Sequence, residues 1–375
     1  PVYVAFYGDS WVEGDVLTAA LRDRLQAHYG GQGVGWVGLS NDVPGFRQTL
    51  SQQWEGVKNQ DIRHARLSDA VGIMGASFSA ESGGAKVQFA GTAFSERTRV
   101  FERVQVFYRP VSGSLLNFSL AWHNGTAQGG QTFYAQADTQ NAVAPAQVQR
   151  AELVIPPPPS SPPLSGGATD TMAAQVAVPS KPTQVRLNMP AGLVVDGVSF
   201  ESAGGVYVDN FALRSHTGLS LPNMPLDIIQ ATQALRPHRL VFLQYGLNSL
   251  GPESTRFDFF YQGMLKSIAH IKAAYPQASI VLLGVGDRAA RQNGTFTTQA
   301  NLRAMIETQR RLAQEAGVLF WDVQAVMGGD GSMVRMVNAK PREANTDYTH
   351  LTHAGGKVLG TRMADILIHE QARRP

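Results

Sequence analysis

The hydrophobic residues of this chain follow one pattern at its two ends and another in its middle. Near the start, and again from about residue 205 onward, short apolar runs alternate with stretches that have the amphipathic spacing of helices. The apolar runs lie at 2–7, 206–213, 240–246, 279–286 and 318–323, and the helical stretches at 16–25, 258–274, 299–316 and 354–369. This alternation predicts βαβ units around a parallel sheet.

The middle of the chain has the two-residue period of strands. Between 116 and 122, the apolar side chains Leu116, Phe118, Leu120 and Trp122 alternate with polar or small ones, and 104–108 and 185–189 behave in the same way. We therefore predict an all-β sandwich, residues 46–204, inserted into an α/β domain made of residues 1–45 and 205–375. The proline-rich run 155–167 is predicted to be an exposed loop with polyproline II character.

Composition narrows the class of protein. The chain has 375 residues, of which 43% are hydrophobic and 16% charged, so it is long enough for two domains with a sizeable core. The net charge of +3 is small, and no basic run is interleaved with aromatic residues, which argues against a nucleic-acid partner. Cys is absent, which excludes disulfides, thiolate catalysis and Cys-ligated metals. No apolar stretch has the length of a membrane span. Because the chain begins at Pro1, a processed N-terminus is expected, and loss of a signal peptide stays open.

Side chains with catalytic potential follow or flank the predicted strands of the α/β part. Ser10 follows the first strand, Asn248 follows the strand at 240–246, and Asp347 and His350 come just before the last helix. Because the carboxyl ends of parallel strands share one edge of a sheet, these groups are expected to converge there. A Ser hydroxyl needs an imidazole base, which a carboxylate orients, and an amide can stabilise the oxyanion that forms. The alternative for Ser10 and its neighbour Asp9 is an ordinary helix cap.

The motifs "GDSW", "YGLN" and "DYTHLTHAGG" resemble blocks I, III and V of the GDSL/SGNH hydrolase superfamily. The resemblance implies an SGNH (flavodoxin-like) three-layer α/β/α fold with a central parallel sheet. It implies Ser10 as nucleophile, His350 as general base and Asp347 as the residue that orients His350. The backbone N–H groups of Ser10 and Gly218, the glycine assigned to block II, would form the oxyanion hole with the Asn248 side chain. The resemblance implies neither a cofactor nor a metal.

Two departures from the superfamily pattern are present. His353 stands in block V where Pro is common, and "GLNS" differs from the commoner G-x-N-D, although the Asn is retained. The G-x-S-x-G nucleophile elbow is absent, which argues against the α/β-hydrolase fold.

Longer segments resemble a bacterial subgroup of this superfamily that includes the peptidoglycan O-acetylesterases. These segments are "GDSWVEGDVLTAALRDRLQ", "GGQGVGWVGL", "QYGLNS" and "FWDVQAVMGGDGSM". In that subgroup a sandwich resembling a carbohydrate-binding module is inserted into the hydrolase domain. The resemblance implies a serine esterase acting on an O-acetylated polysaccharide, peptidoglycan first, in the periplasm or outside a bacterial cell. The alternatives are an acetylesterase on another glycan of the xylan or xyloglucan type, an O-acetyltransferase, and a non-catalytic glycan-binding protein.

Overall fold

The computed structural model describes residues 1–64, 71–110, 115–125, 127–137, 147–156, 182–251 and 254–373. The predicted proline-rich loop therefore falls, from residue 157 to 167, outside the described residues. Among the residues that are described, no helix has the length and apolar character needed to cross a membrane.

The described residues form eighteen strands and eight α-helices. The strands are β1 (Val2–Gly8), β2 (Gly35–Val37), β3 (Leu50–Glu55), β4 (Val57–Asp61), β5 (Ala76–Ala80), β6 (Ala85–Gly91), β7 (Arg103–Pro110), β8 (Leu116–His123), β9 (Gln128–Ala135), β10 (Gln149–Val154), β11 (Gln184–Met189), β12 (Leu193–Glu201), β13 (Val206–Ala212), β14 (His238–Gln244), β15 (Ser279–Leu283), β16 (Ala289–Gln292), β17 (Thr295–Thr298) and β18 (Leu319–Trp321). The α-helices are α1 (Thr18–Tyr29), α2 (Glu96–Arg99), α3 (Leu226–Leu235), α4 (Asp258–Ala274), α5 (Leu302–Ala316), α6 (Val323–Met327), α7 (Ser332–Asn338) and α8 (His353–Ala372).

A parallel sheet of five strands, in the order β13-β1-β14-β15-β18, forms the α/β part. When the five strands of this sheet are numbered 1 to 5 along the chain, their order is 2-1-3-4-5, which is that of the flavodoxin-like doubly wound fold. Helix α1 packs on α8, and α4 packs on α3 and α5. β1 lies inside the sheet and is buried from Tyr3 to Gly8, because parallel strands between two helical layers have no solvent face. The predicted fold class, a three-layer α/β/α fold with an additional all-β part, is confirmed.

Two antiparallel sheets form the β part. One has the order β10-β7-β12-β5-β4, with β2 paired to β12, and the other has the order β3-β6-β11-β8-β9. In β8 and β11 the predicted alternation is present, with Phe118, Leu120 and Trp122 buried in β8. β2 lies before the predicted boundary at residue 46, yet it pairs with β12 of the antiparallel sheet. The exact extent of the two predicted domains stays a prediction.

The strand β12 belongs to the antiparallel part, but it is buried on both of its faces. Phe200 meets Phe89 of the second sheet, with 5.0 Å between ring centroids. The neighbouring Glu201 points the other way, toward the parallel sheet, and pairs with the Arg236 guanidinium, which also binds Asp209 of β13 at 2.6 Å. All three charged side chains are almost fully buried, so each must be paired to be tolerated there. The two parts of the molecule therefore share a buried ionic cluster.

Candidate active site

Ser10, His350 and Asp347 come together at the carboxyl end of β1. Ser10 Oγ lies 2.9 Å from His350 Nε2, and His350 Nδ1 lies 2.7 Å from Asp347 Oδ2. An ionised carboxylate can only accept a hydrogen bond, so His350 Nδ1 carries a hydrogen and donates a hydrogen bond to Asp347. His350 Nε2 is then the acceptor for the Ser10 hydroxyl. This arrangement can withdraw a proton from Ser10 as its oxygen attacks a carbonyl carbon.

The Asp347 carboxyl is prepared to stay ionised. Partial burial raises the pKa of Asp347, but hydrogen bonds oppose that effect, and the net result is a pKa below the ordinary value. The donors are the backbone N–H groups of His350 and Thr349, at 3.0 and 2.9 Å from Oδ1, and the His350 ring. An ionised Asp347 both fixes the tautomer of His350 and stabilises its protonated form.

The loop that carries Asp347 and His350 is held from several sides. Thr352 caps α8 through a hydrogen bond from Gly355 N–H to its side chain, so His350 stands just before the first turn of the helix. Trp11, buried next to Ser10, donates its indole N–H to the Thr349 carbonyl at 2.7 Å. The Trp11 ring lies so close to Gly286 that a Cβ there would be 1.9 Å from it. The chain beyond β15 thus supports the indole that steadies the loop.

Asn248 lies in the short 3-10 helix after β14, and its side chain is exposed toward the same edge of the sheet. Its amide nitrogen Nδ2 donates to Asp9 Oδ2 at 3.0 Å and to the His216 carbonyl at 3.2 Å. These bonds bring the amide next to the Ser10 turn and to the loop that contains Gly218. Both amide hydrogens are engaged in this state, so Asn248 can bind an oxyanion only by sharing or exchanging one of these partners.

Gly218 occupies a tight turn after β13. Its φ of +83° is in the left-handed region, and a Cβ at this position would lie 2.7 Å from the Tyr245 ring and 2.9 Å from the Met264 sulfur. Only glycine fits both conditions without strain. Among the described residues, the backbone N–H groups of Gly218 and Ser10 have no hydrogen-bond partner. Two donors are therefore available near Ser10 that could bind a negative charge.

Asp9 makes more contacts in the site than its sequence position indicated, because each of its two carboxylate oxygens accepts a hydrogen bond. Its Oδ1 accepts from Trp11 N–H at 3.0 Å and so holds the turn after β1. Its other oxygen holds Asn248, a partner far away in the sequence that no local pattern could have revealed. Burial is the main cause that raises the pKa of Asp9 to about 6, against the lowering effects of the Trp11 bond and of His350.

The titration of Asp9 predicts a pH-dependent difference in stability between the protein and its Asp9→Asn variant. Asp9 titrates at about 6 in the folded state. An unfolded Asp titrates near 3.9, so ionising the buried carboxyl costs the folded state about 3 kcal/mol once the pH exceeds both values. Relative to the variant, the free energy of unfolding of the unmodified protein should fall by about 2 kcal/mol between pH 4 and pH 7, which is most of the full effect. Denaturant unfolding at several pH values measures this difference, and a constant difference would contradict it.

A hairpin beside the loop that carries Asp347 and His350 was not predicted from the sequence. β16 and β17 join through Asn293 and Gly294, which have φ values of +49° and +85°. Asn-Gly between two short runs is a strong hairpin signal and could have been used. On this hairpin Phe296 stacks on Tyr348, with ring centroids 3.7 Å apart, and Ala289 N–H donates to the Tyr348 carbonyl. The hairpin therefore supports the loop at the residue next to Asp347.

Within the ranges that the structure describes, no group of three or more His, Cys, Asp or Glu side chains is arranged to hold a metal ion. His353, which stands where Pro is common, instead packs its ring on Phe46, with 5.3 Å between centroids.

Comparison with protein families identifies the GDSL-like lipase/acylhydrolase family, whose sequence model matches residues 189–358. This range is less than half of the chain, but it contains Gly218, Asn248, Asp347 and His350. Ser10 lies outside this range, because along the sequence it precedes the strands of the antiparallel sheets. The match confirms the resemblance found in the sequence, and with it the predicted enzyme class, a carboxylic ester hydrolase. No curated protein matches the chain.

Among solved structures, one of a peptidoglycan O-acetylesterase is similar over 100% of this chain and 92% of its own, with 21% identity and a TM-score of 0.74. It has the same fold across both parts of the molecule. A family two carbohydrate esterase from Cellvibrio japonicus covers 85% of this chain and 98% of its own, with 10% identity and a TM-score of 0.32. An acetylxylan esterase from Geobacillus stearothermophilus covers 45% of this chain and 74% of its own, with 16% identity and a TM-score of 0.32.

Proposed function

We propose that this protein is a serine esterase that removes O-acetyl groups from a polysaccharide, with peptidoglycan as the first candidate. The observation that carries the proposal is the continuous hydrogen-bonded chain from Ser10 Oγ through His350 to Asp347, with distances of 2.9 and 2.7 Å. A non-catalytic glycan-binding protein has no need for a hydroxyl, an imidazole and a carboxylate in this order.

In the proposed reaction, Ser10 Oγ attacks the acetyl carbonyl carbon while His350 Nε2 takes the hydroxyl proton. The tetrahedral intermediate collapses when His350 returns that proton to the departing sugar oxygen, which leaves an acetyl group on Ser10. A water molecule then attacks the acetyl carbon, again losing a proton to His350, and acetate leaves as Ser10 is restored. Asp347 stays ionised throughout and holds the imidazole in place.

The oxyanion of each tetrahedral intermediate is proposed to bind to the backbone N–H groups of Ser10 and Gly218 and to the Asn248 side chain. The two backbone donors lack other partners among the described residues, which supports this role. Asn248 is supported by its bond to Asp9, the residue adjacent to the nucleophile. The two backbone donors are fixed before the reaction and stabilise the intermediate without reorganisation, whereas Asn248 contributes by sharing or exchanging one of its present partners.

The polysaccharide substrate is supported by the openness of the site and by the similar fold. The side chains of His350 and Asp347 are 39% and 49% exposed, so the site can accept a bulky chain from outside. The fold matches that of a peptidoglycan O-acetylesterase along the whole chain, including the antiparallel sheets that we propose as a carbohydrate-binding-module-like domain at 46–204. A substrate of this kind places the protein in the periplasm or outside a bacterial cell.

The test is release of acetate from O-acetylated peptidoglycan and, in parallel, from acetylated xylan. We expect faster release from peptidoglycan, and none from either polymer with the Ser10→Ala variant. Faster release from acetylated xylan would support the esterase activity but would make xylan, in place of peptidoglycan, the first candidate substrate. Transfer of the acetyl group to an added sugar, in place of acetate release, would make the protein a transferase. Absence of both activities in a folded protein would contradict the proposal.

A further inference from the structure

His216 lies between the groups proposed to form the oxyanion hole. It follows β13, it is only 4% exposed, and its carbonyl oxygen accepts from Asn248. Its ring reaches across the turn that contains Gly218, because His216 Nε2 lies 2.7 Å from Ser220 Oγ. The other ring nitrogen, Nδ1, lies 3.4 Å from the Tyr245 hydroxyl, and the two rings pack edge to face.

The protonation of this ring follows from its surroundings. Burial is the main cause that lowers the pKa of His216 to about 4, with smaller opposed effects from Arg63 and Asp61, so the ring is neutral near pH 7. Burial also raises the pKa of Tyr245 well above its ordinary value, so its hydroxyl keeps the proton. Among the described residues, the only hydrogen-bond partner of that hydroxyl is His216 Nδ1. Tyr245 therefore donates to Nδ1, and Nε2–H donates to Ser220.

The turn between His216 and Ser220 is fixed at its ends and at its centre. The hydrogen bond between the His216 ring and Ser220 joins the two ends of the turn. At its centre, the Gly218 carbonyl accepts a hydrogen bond from Ser267 Oγ at 2.8 Å. With these points held, the direction of the Gly218 N–H is set by the turn. The His216 carbonyl at the same time limits where the Asn248 amide can lie.

We propose that His216 is the positioning residue of the oxyanion hole, acting through its bond to Ser220 on Gly218 and through its carbonyl on Asn248. This inference rests on the proposed function, because it presupposes that Gly218 and Asn248 bind the oxyanion. His216 itself is assigned no contact with the substrate. A donor displaced by a fraction of an ångström weakens transition-state binding while leaving the binding of the ground-state ester almost unchanged.

The test compares His216→Phe, His216→Gln, Ser220→Ala and the double variant His216→Phe/Ser220→Ala, using p-nitrophenyl acetate. His216→Phe keeps the ring packed on Tyr245 and removes both hydrogen bonds. We expect it to lower kcat by about 10- to 100-fold with KM within about twofold, because a misplaced donor costs less than a deleted one. His216→Gln keeps an amide donor near the position of Nε2 and should recover most of the loss.

A second measurement separates positioning from simple loss of stability. Phenylboronic acid forms a tetrahedral adduct with a catalytic serine, so its affinity should fall in proportion to kcat/KM across the series. The double variant should be no worse than its poorer single variant, since both single variants already remove the bond between His216 and Ser220. The matched control is His270→Phe on α4, whose ring lies outside the 216–220 turn, and this variant should keep full activity.

The outcomes distinguish this inference from the proposed function. Unchanged kcat in folded Ser220→Ala and His216→Phe, together with an inactive Ser10→Ala, would overturn the role of His216 and leave the esterase intact. Independent, multiplying losses in the double variant would also overturn it. If His216→Phe does not fold, Ser220→Ala alone decides. Activity retained in Ser10→Ala would instead contradict the proposed function itself.

Discussion

Replacement of Ser10 by Ala is expected to reduce ester hydrolysis by about 10⁴- to 10⁶-fold, because the nucleophile, base and orienting carboxylate act as a unit. The side chain removed is the one whose oxygen lies 2.9 Å from His350 Nε2. His350→Ala should cost about as much, since without the imidazole the hydroxyl has no base within reach. Asp347→Asn should cost less, because Ser10 and His350 both remain. Steady-state hydrolysis of p-nitrophenyl acetate measures all three.

The fold of each variant must be verified, and the structure makes this control informative. Ser10 is half-buried and its described side-chain contact is the bond to His350, so Ser10→Ala should unfold at nearly the same temperature as the unmodified protein. A folded Ser10→Ala variant with near-normal turnover would show that another group attacks the ester. A large fall in unfolding temperature would mean that the loss of activity says nothing about the nucleophile.

The α/β part of the fold could be predicted because its elements are specified locally. The helix predicted at 258–274 is α4 with the same bounds, and each of the four apolar runs from 206 to 323 contains a strand of the parallel sheet. Long amphipathic helices and fully buried strands carry strong hydrophobic patterns that survive without tertiary information. The order of the strands then follows from the few topologies that such units allow.

The antiparallel part was harder to predict in detail, because some of its strands have two buried faces. In β7 every residue after Arg103 is buried, and Gln105 and Arg109 are polar residues inside that burial. Alternation of apolar and polar residues identifies a strand, but it does not show that the polar face is also buried against the rest of the protein. The shared cluster of Glu201, Arg236 and Asp209 depends on residues from different parts of the chain, and so does the pairing of β2 with β12.

The same cluster bears on whether the antiparallel part can be removed to test its role. Without Glu201, the buried Arg236 would lose one of its two carboxylate partners. An unpaired charge inside a protein is strongly destabilising. A variant that replaces 46–204 by a short linker therefore needs a further change at Arg236, and surface substitutions within the sheets are the better way to ask which substrate they contact.

In the candidate site, the residues proposed to have chemical roles could be predicted from the sequence, but the residues that hold them in place could not. Ser10, Asn248, Asp347 and His350 stand out because their side chains follow strands or precede a helix in recognisable motifs. The bond from Asn248 to Asp9 and the bridge from His216 to Ser220 have no signature in the sequence, since they arise only when separate loops meet. Supporting contacts of this kind are what a structure adds.

Replacement of Asn248 by Ala is expected to lower kcat by about 10²- to 10³-fold with little change in KM, the usual cost of one oxyanion donor. The two acceptors now bound to its amide, Asp9 and the His216 carbonyl, hold Nδ2 in place, so its role appears only when the oxyanion forms and shares the donor. Asn248→Asp keeps the size but puts a carboxylate beside Asp9 and offers no N–H, and it should be at least as slow as Asn248→Ala. Hydrolysis of p-nitrophenyl acetate over a range of concentrations separates kcat from KM, with His270→Phe as the control. A rise in KM at unchanged kcat would instead make Asn248 a substrate-binding residue, and the oxyanion would then depend on the backbone N–H groups of Ser10 and Gly218 alone.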